Sequence, residues 1–193
     1  RQKFKELKSG LYVIGEGRTE LHYFKHLKDI FRYTCTIKPR FCNNTCIKQM
    51  GETITQLVAE NVKVICVFDA DTSSRNPEEN RILQELKLKY KSNSNVLLCD
   101  SMPSIEYWFL IHFVKTRASL QTSKDVIQKL KKYIKNYSRT EKFLKQRHWV
   151  EAMTLKDGSL ESARKWAATA PEDSLSYSKI CKAIDLLESN SKD

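Results

Sequence analysis

The sequence predicts an α/β fold with a mostly parallel four-stranded sheet, helices on both faces and a helical extension, on three observations. Apolar periodicity switches repeatedly between strand and helix type up to Ser101. The strand-like runs are almost continuously apolar, as strands covered on both faces are. After Pro103 only helical patterns follow.

The elements come in order. "GLYVIG" (10–15) reads as a buried strand, and "TELHYFKHLKDIF" carries Leu21, Phe24, Leu27 and Phe31 at helical spacing. "TCTIKP" is a short strand with a proline stop. In "NNTCIKQMGETITQLVAEN", Ile47, Met50, Ile54, Leu57 and Val58 share one helix face, weakened by Gly51. "VKVICVFDAD" (62–71) is the clearest buried strand. Asn76 as N-cap, Pro77 in the first position and Glu78-Glu79 in the first turn open the next helix, and "NVLLCDS" is the fourth strand. We expect residues 1–116 to form the core and 117–193 a helical extension packed on it.

With 193 residues the chain is long enough for one well-filled core, and no apolar run reaches the length of a membrane span. No signal-peptide core precedes the first strand, so a cytoplasmic protein is expected. The net charge of +11 suits a polyanionic partner or a merely basic surface. Six cysteines show no paired metal spacing and read as reduced thiols, with Cys66 and Cys99 inside apolar strands.

In a parallel α/β sheet, ligands bind outside the carboxyl ends of the strands. Glu16 follows the first strand between two glycines, Asp69 and Asp71 end the third, and Asp100 and Glu106 lie at or after the fourth. In an extended segment Asp69 and Asp71 face the same way. Carboxylates crowded at one edge repel one another unless a hard cation such as Mg²⁺ neutralises them. Arg18, inside the acid loop, is a candidate phosphate contact.

Together "VIGEGRTELHYF", "VFDAD" and "MPSIEYWFLIHF" resemble the RloB-like family of the TOPRIM superfamily, and "SLSYSKICKAIDLL" is similar to its C-terminal helix. The resemblance implies a Rossmann-like TOPRIM core that binds Mg²⁺ or Mn²⁺ and cuts phosphodiester bonds. It implies catalytic roles for Glu16, Glu20, Asp69 and Asp71, and metal ligation by Glu16, Asp69, Asp71 and Glu106. It also implies an anti-phage effector that works with an ABC-type ATPase on tRNA or DNA, and leaves room for a homodimer. The sequence departs from the family in having Gly15, rather than a larger residue or cysteine, before Glu16.

The segment 124–147 carries nine basic residues against Asp125 and Glu141, with Val126, Leu130, Tyr133 and Tyr137 along another face. Read as helix, it packs one side and offers Lys131, Lys135 and Lys142 to nucleic acid; the bland alternative is a solvated face. Tyr23 and Tyr107 are expected in the core rather than as a nucleophile, and Tyr133, Tyr137 and Trp149 in the core rather than as platforms for stacked bases. The four histidines form no spaced metal set, although His22 and His26 are four apart.

Two rival functions stand beside the nuclease. "VFDADT" also fits the DxDxT of haloacid-dehalogenase-type phosphatases, with Asp69 as nucleophile, although that motif usually lies on the opening strand. The other rival is a non-catalytic nucleic-acid-binding or sensor subunit. "GEGRTE" lacks the Lys-Ser/Thr of a P-loop, so any ATPase must be a partner.

Overall fold

The computed structural model describes residues 10–38, 47–71, 77–171 and 174–192. One sheet holds β1 (Leu11–Gly15), β2 (Thr36–Lys38), β3 (Lys63–Asp69), β4 (Val96–Met102) and β5 (Tyr177–Ser178), in the order β2-β1-β3-β4-β5. The first four are parallel and β5 runs antiparallel to β4. The fifth strand corrects the expectation of four. Its two residues are too few to leave a periodic signal, and it is held at the edge partly by the Ser101–Ser178 hydroxyl pair at 2.8 Å.

Alternation along β3 explains both layers. Val64, Cys66 and Phe68 point to a cluster with Met50, Ile54 and Leu57 of α2 (Ile47–Ala59) and Leu83 and Leu86 of α3 (Pro77–Tyr90). Ile65 and Val67 point the other way, toward Tyr23, Phe24 and Leu27 of α1 (Arg18–Phe31) and Trp108 and Phe109 of α4 (Ile105–Leu110). Asn76 and Asn43 to Cys46, which the sequence placed at helix starts, lie outside the described residues.

Beyond α4 come α5 (Ser123–Leu130), α6 (Glu141–Leu144), α7 (His148–Glu151), a π-helical turn at Ala152–Lys156, α8 (Leu160–Ala168) and α9 (Ile180–Lys192). Trp149, Met153, Ile184 and Leu187 belong to the same apolar cluster as Val13 and Tyr23, so these helices share one core with the sheet. Tyr23, Tyr107, Tyr137 and Trp149 are buried, as expected, whereas Tyr133, also expected in the core, is 42% exposed with one face of its ring stacked on Phe113 at 5.1 Å. Cys35, Cys66, Cys99 and Cys181 are free thiols, whereas Cys42 and Cys46 lie outside the described residues.

The reading of 124–147 as one helix needs correction. Helix α5 ends at Leu130, the chain continues in turns, Asn136 takes a left-handed φ of 60°, and Thr140 caps α6 by accepting from the Phe143 amide. Lys131 and Lys135 therefore lie in the connecting turns rather than on a shared helix face. Apolar spacing ran through the break because Ile134 and Tyr137 are buried on either side of Asn136.

Candidate active site

The strand order reverses between β1 and β3, since β2 lies beyond β1 and β4 beyond β3. Outside the carboxyl ends of two such strands the connecting chains diverge to opposite faces and leave a crevice. Glu16 and Asp69 flank it. The Glu16 amide donates to the Val67 carbonyl at 3.0 Å, and Glu16 Oε2 accepts from the Asp69 amide at 2.9 Å.

Gly15 is required by what lies over it. A Cβ there would stand 2.4 Å from the Glu20 Cβ, so its absence lets the first turn of α1 close onto the strand end. That close approach brings Glu20, which is 5% exposed, beside Glu16. Glu20 Oε2 accepts from the Gly17 amide at 2.8 Å, satisfying one of the donors at the start of α1. The departure at Gly15 thus has a steric reason in this chain.

Asp69 Oδ1 accepts from the Ile105 amide at 2.8 Å. Glu106, wholly buried, is enclosed: Oε1 accepts from the Tyr137 hydroxyl at 2.9 Å and Arg139 Nε at 2.6 Å, while Oε2 accepts from Ser104 at 2.7 Å and Arg139 Nη2 at 2.6 Å. Arg139 Nη2 is also 4.0 Å from Asp69 Oδ2.

These acids oppose one another's ionisation. Burial, with the charges of Glu16 and Glu106 adding to it, pushes the Glu20 carboxyl up to about 7, and the amide bonds offset this only in part. Asp69 is raised well above the usual carboxylate range by burial first, then by Glu20, Glu106 and Glu16. The Glu106 hydrogen bonds hold the Arg139 guanidinium in its charged form against burial.

Three expectations change in this setting. Ala70 and Asp71 are helical rather than extended, so Asp71 does not share the direction of Asp69; it lines a neighbouring cavity of about 400 Å³ with Met102, Leu120 and Tyr177. Asp100 is drawn away from the crevice by Lys87 at 2.9 Å and Lys179 at 2.7 Å, with the Tyr177 hydroxyl donating to it at 3.0 Å. Glu106, expected as a metal ligand, has both oxygens committed to protein donors. Arg18 lies at the site's outer rim, 4.0 Å from Glu141, with 52% of its side chain exposed, and Lys131, Lys135 and Lys142 are exposed.

Sequence reasoning missed Arg139, Tyr137's role toward Glu106, and the His22–Glu141 contact at 3.2 Å. Each joins residues far apart in the chain, and the only local signal was a Tyr-x-Arg step inside an otherwise lysine-rich stretch.

Among the described residues, no group of three or more His, Cys, Asp or Glu side chains is set to hold a metal ion as it stands. The donor chemistry nevertheless suits a hard divalent cation: Glu16, Glu20 and Asp69 offer only carboxylate oxygens, and their mutual repulsion is what such an ion relieves. Each of the three accepts one backbone amide on one oxygen of its carboxylate.

No helix among the described residues is long and apolar enough to cross a membrane. Comparison with curated proteins and with solved structures gave no match. The family model described as RloB-like protein matches residues 11–187, nearly the whole chain, and the chain belongs to that family.

Proposed function

We propose that this chain is a Mg²⁺- or Mn²⁺-dependent nuclease with a TOPRIM-type site, cleaving phosphodiester bonds of nucleic acid, with tRNA or other RNA favoured over DNA. The observation that carries the reading is the convergence of Glu16, Glu20 and Asp69 on the crevice between β1 and β3, where Glu16 raises the proton affinity of the other two and Glu20 that of Asp69. Family membership and the net charge of +11 support it. The biological role that goes with it is effector of an anti-phage system, activated with an ABC-type ATPase partner.

Glu16 and Asp69 are the residues to hold the ion. A bound divalent ion would supply polarisation of a phosphate oxygen and stabilisation of the leaving oxygen. Glu20, whose carboxyl sits at about 7, matches the working range of a general base and takes the proton from the attacking water. The Asp69 amide bond to Glu16 fixes the two acids across the crevice, so loss of either disturbs both. A phosphatase nucleophile at Asp69 is less well served, because the side chain is only 21% exposed and Oδ1 is taken by the Ile105 amide.

The test is incubation of the protein with tRNA, and separately with plasmid DNA, in Mg²⁺ or Mn²⁺, with and without the ATPase partner. Cleavage that Asp69→Asn and Glu16→Gln each abolish, with folding intact, is the expected result. Cleavage at the parental rate by either variant overturns the site, and release of inorganic phosphate from small esters by the parent chain favours the phosphatase.

A further inference from the structure

Arg139 is the one cation built into the wall of the acid crevice, among the described residues, for which the nuclease reading has so far no use. It comes from the loop between α5 and α6, and its surroundings fix its guanidinium. Nε and Nη2 lie against the two oxygens of Glu106 at 2.6 Å each, a side-on fork that sets the plane of the group. Glu106 is in turn held by Tyr137 and Ser104. The loop is moored to α1, the helix that carries Glu20: His22 meets Glu141 at 3.2 Å and His26 Nε2 meets the Leu144 carbonyl at 2.8 Å.

A completely buried carboxylate is a costly way to fill a core position, and an apolar residue of similar size serves stability as well. Glu106 makes sense when its product is a positioned arginine. The side-on contact uses Nε and one N–H of Nη2, which leaves the end of the fork, Nη1 and the second N–H of Nη2, for another acceptor. The side chain is 43% exposed and its Nη2 stands 4.0 Å from Asp69 Oδ2, at the edge of the crevice. A crevice lined by Glu16, Glu20 and Asp69 repels a phosphodiester, and a fixed planar cation beside it reverses that locally.

We propose that Arg139 receives a non-bridging oxygen of the substrate phosphate, and that Glu106 and Tyr137 are positioning residues for it. The inference rests on the nuclease reading and deepens it by naming the residue that grips the substrate. The competing role for Arg139 is a counter-ion to Glu106 and nothing more.

The experiment measures binding of a fluorescent single-stranded RNA across a salt series, with Ca²⁺ in place of Mg²⁺. The parent is compared with Arg139→Lys and with the paired variant Arg139→Gln/Glu106→Gln, whose two amides hydrogen-bond each other and leave no buried charge unpaired. Thermal melting first establishes that both variants fold. The paired variant is expected to bind about tenfold more weakly at low salt, with the slope of log affinity against log salt reduced by about 0.7, one phosphate contact on a single strand. Arg139→Lys retains the slope, because the charge stays, and shows a raised KM in cleavage because the fork is gone. A folded paired variant with the parental slope and affinity overturns this inference while leaving the nuclease standing. A parent that neither binds nor cuts RNA or DNA, even with the ATPase partner present, overturns the nuclease reading and this inference with it.

Discussion

Glu20 ties the acid crevice to solution pH. Its carboxyl is at about 7 in the folded chain against an ordinary 4.5, so between those values the folded state binds more protons than the unfolded one. Stability without divalent ions therefore falls as pH rises through that window and levels off above it, by up to about 3 kcal/mol for this group. Glu20→Gln should make the profile shallower, with the part set by Asp69 remaining, and leave the variant more stable than the parent at pH 8; urea melts in EDTA from pH 5 to pH 8 check it, and parallel curves would refute it. Gly15 gives a second residue-scale prediction. Gly15→Ala puts a methyl 2.4 Å from the Glu20 Cβ, on a strand end with no room to retreat, and should destabilise by about 1–3 kcal/mol and lower cleavage together. At this scale the sequence was legible where a residue's place follows from its position at a strand end. Glu16 and Asp69 were placed together at the crevice because they stand at the ends of adjacent buried parallel strands. Arg139 was not, because its partner Glu106 stands 33 positions earlier and nothing local links a loop arginine to it.

The basic stretch behaves as several short elements. With α5 ended at Leu130 and Asn136 left-handed, Lys131 and Lys135 project from turns and are independently solvated. If both track phosphates, Lys131→Ala/Lys135→Ala should lower the salt slope of RNA binding by about 0.7 for each phosphate no longer neutralised, with melting unchanged; an unchanged slope makes this a solvated surface. The same break is what lets the chain fold back so that Tyr137 and Arg139 reach Glu106, a reversal a continuous helix could not make. Helix periodicity was misleading here because buried Ile134 and Tyr137 kept the apolar rhythm across it. Asp71 failed for a related reason: the strand pattern ran on past Asp69, whereas the chain turns helical at Ala70. The long elements were legible for different reasons: α1 and α2 carry apolar residues at helical spacing on the face they bury, β3 is apolar on both faces, and α3 opens on Pro77 and two acids.

Over the whole molecule, metal binding and folding should be linked through the same acids. Millimolar Mg²⁺ or Mn²⁺ is expected to raise the melting temperature, more at pH 8 than at pH 6 because Asp69 must lose its proton to bind the ion and a protonated Glu20 beside it gains nothing from the ion's charge, and Asp69→Asn should remove the effect. Equal shifts at both pH values would sink the linkage. The sheet order puts the acids at the switch point, and that much follows from the strand sequence; β5 was hidden because two residues carry no period. The C-terminal helix α9 packs against the segment between α1 and β2, where Asn190 donates to the Thr34 carbonyl at 2.7 Å and Ser191 accepts from the Thr34 amide at 2.8 Å, and Ile184 and Leu187 join the cluster that holds Val13. During synthesis this has a protective meaning. A ribosome that has released only the first 130 residues has exposed Glu16, Glu20, Asp69 and Glu106 without Arg139, and without the last helix that closes the core over β4. The four acids are then left to repel one another on an unfinished scaffold, so under the proposed function a nascent chain of that length holds no complete site, and the site is assembled only after α9 has been made.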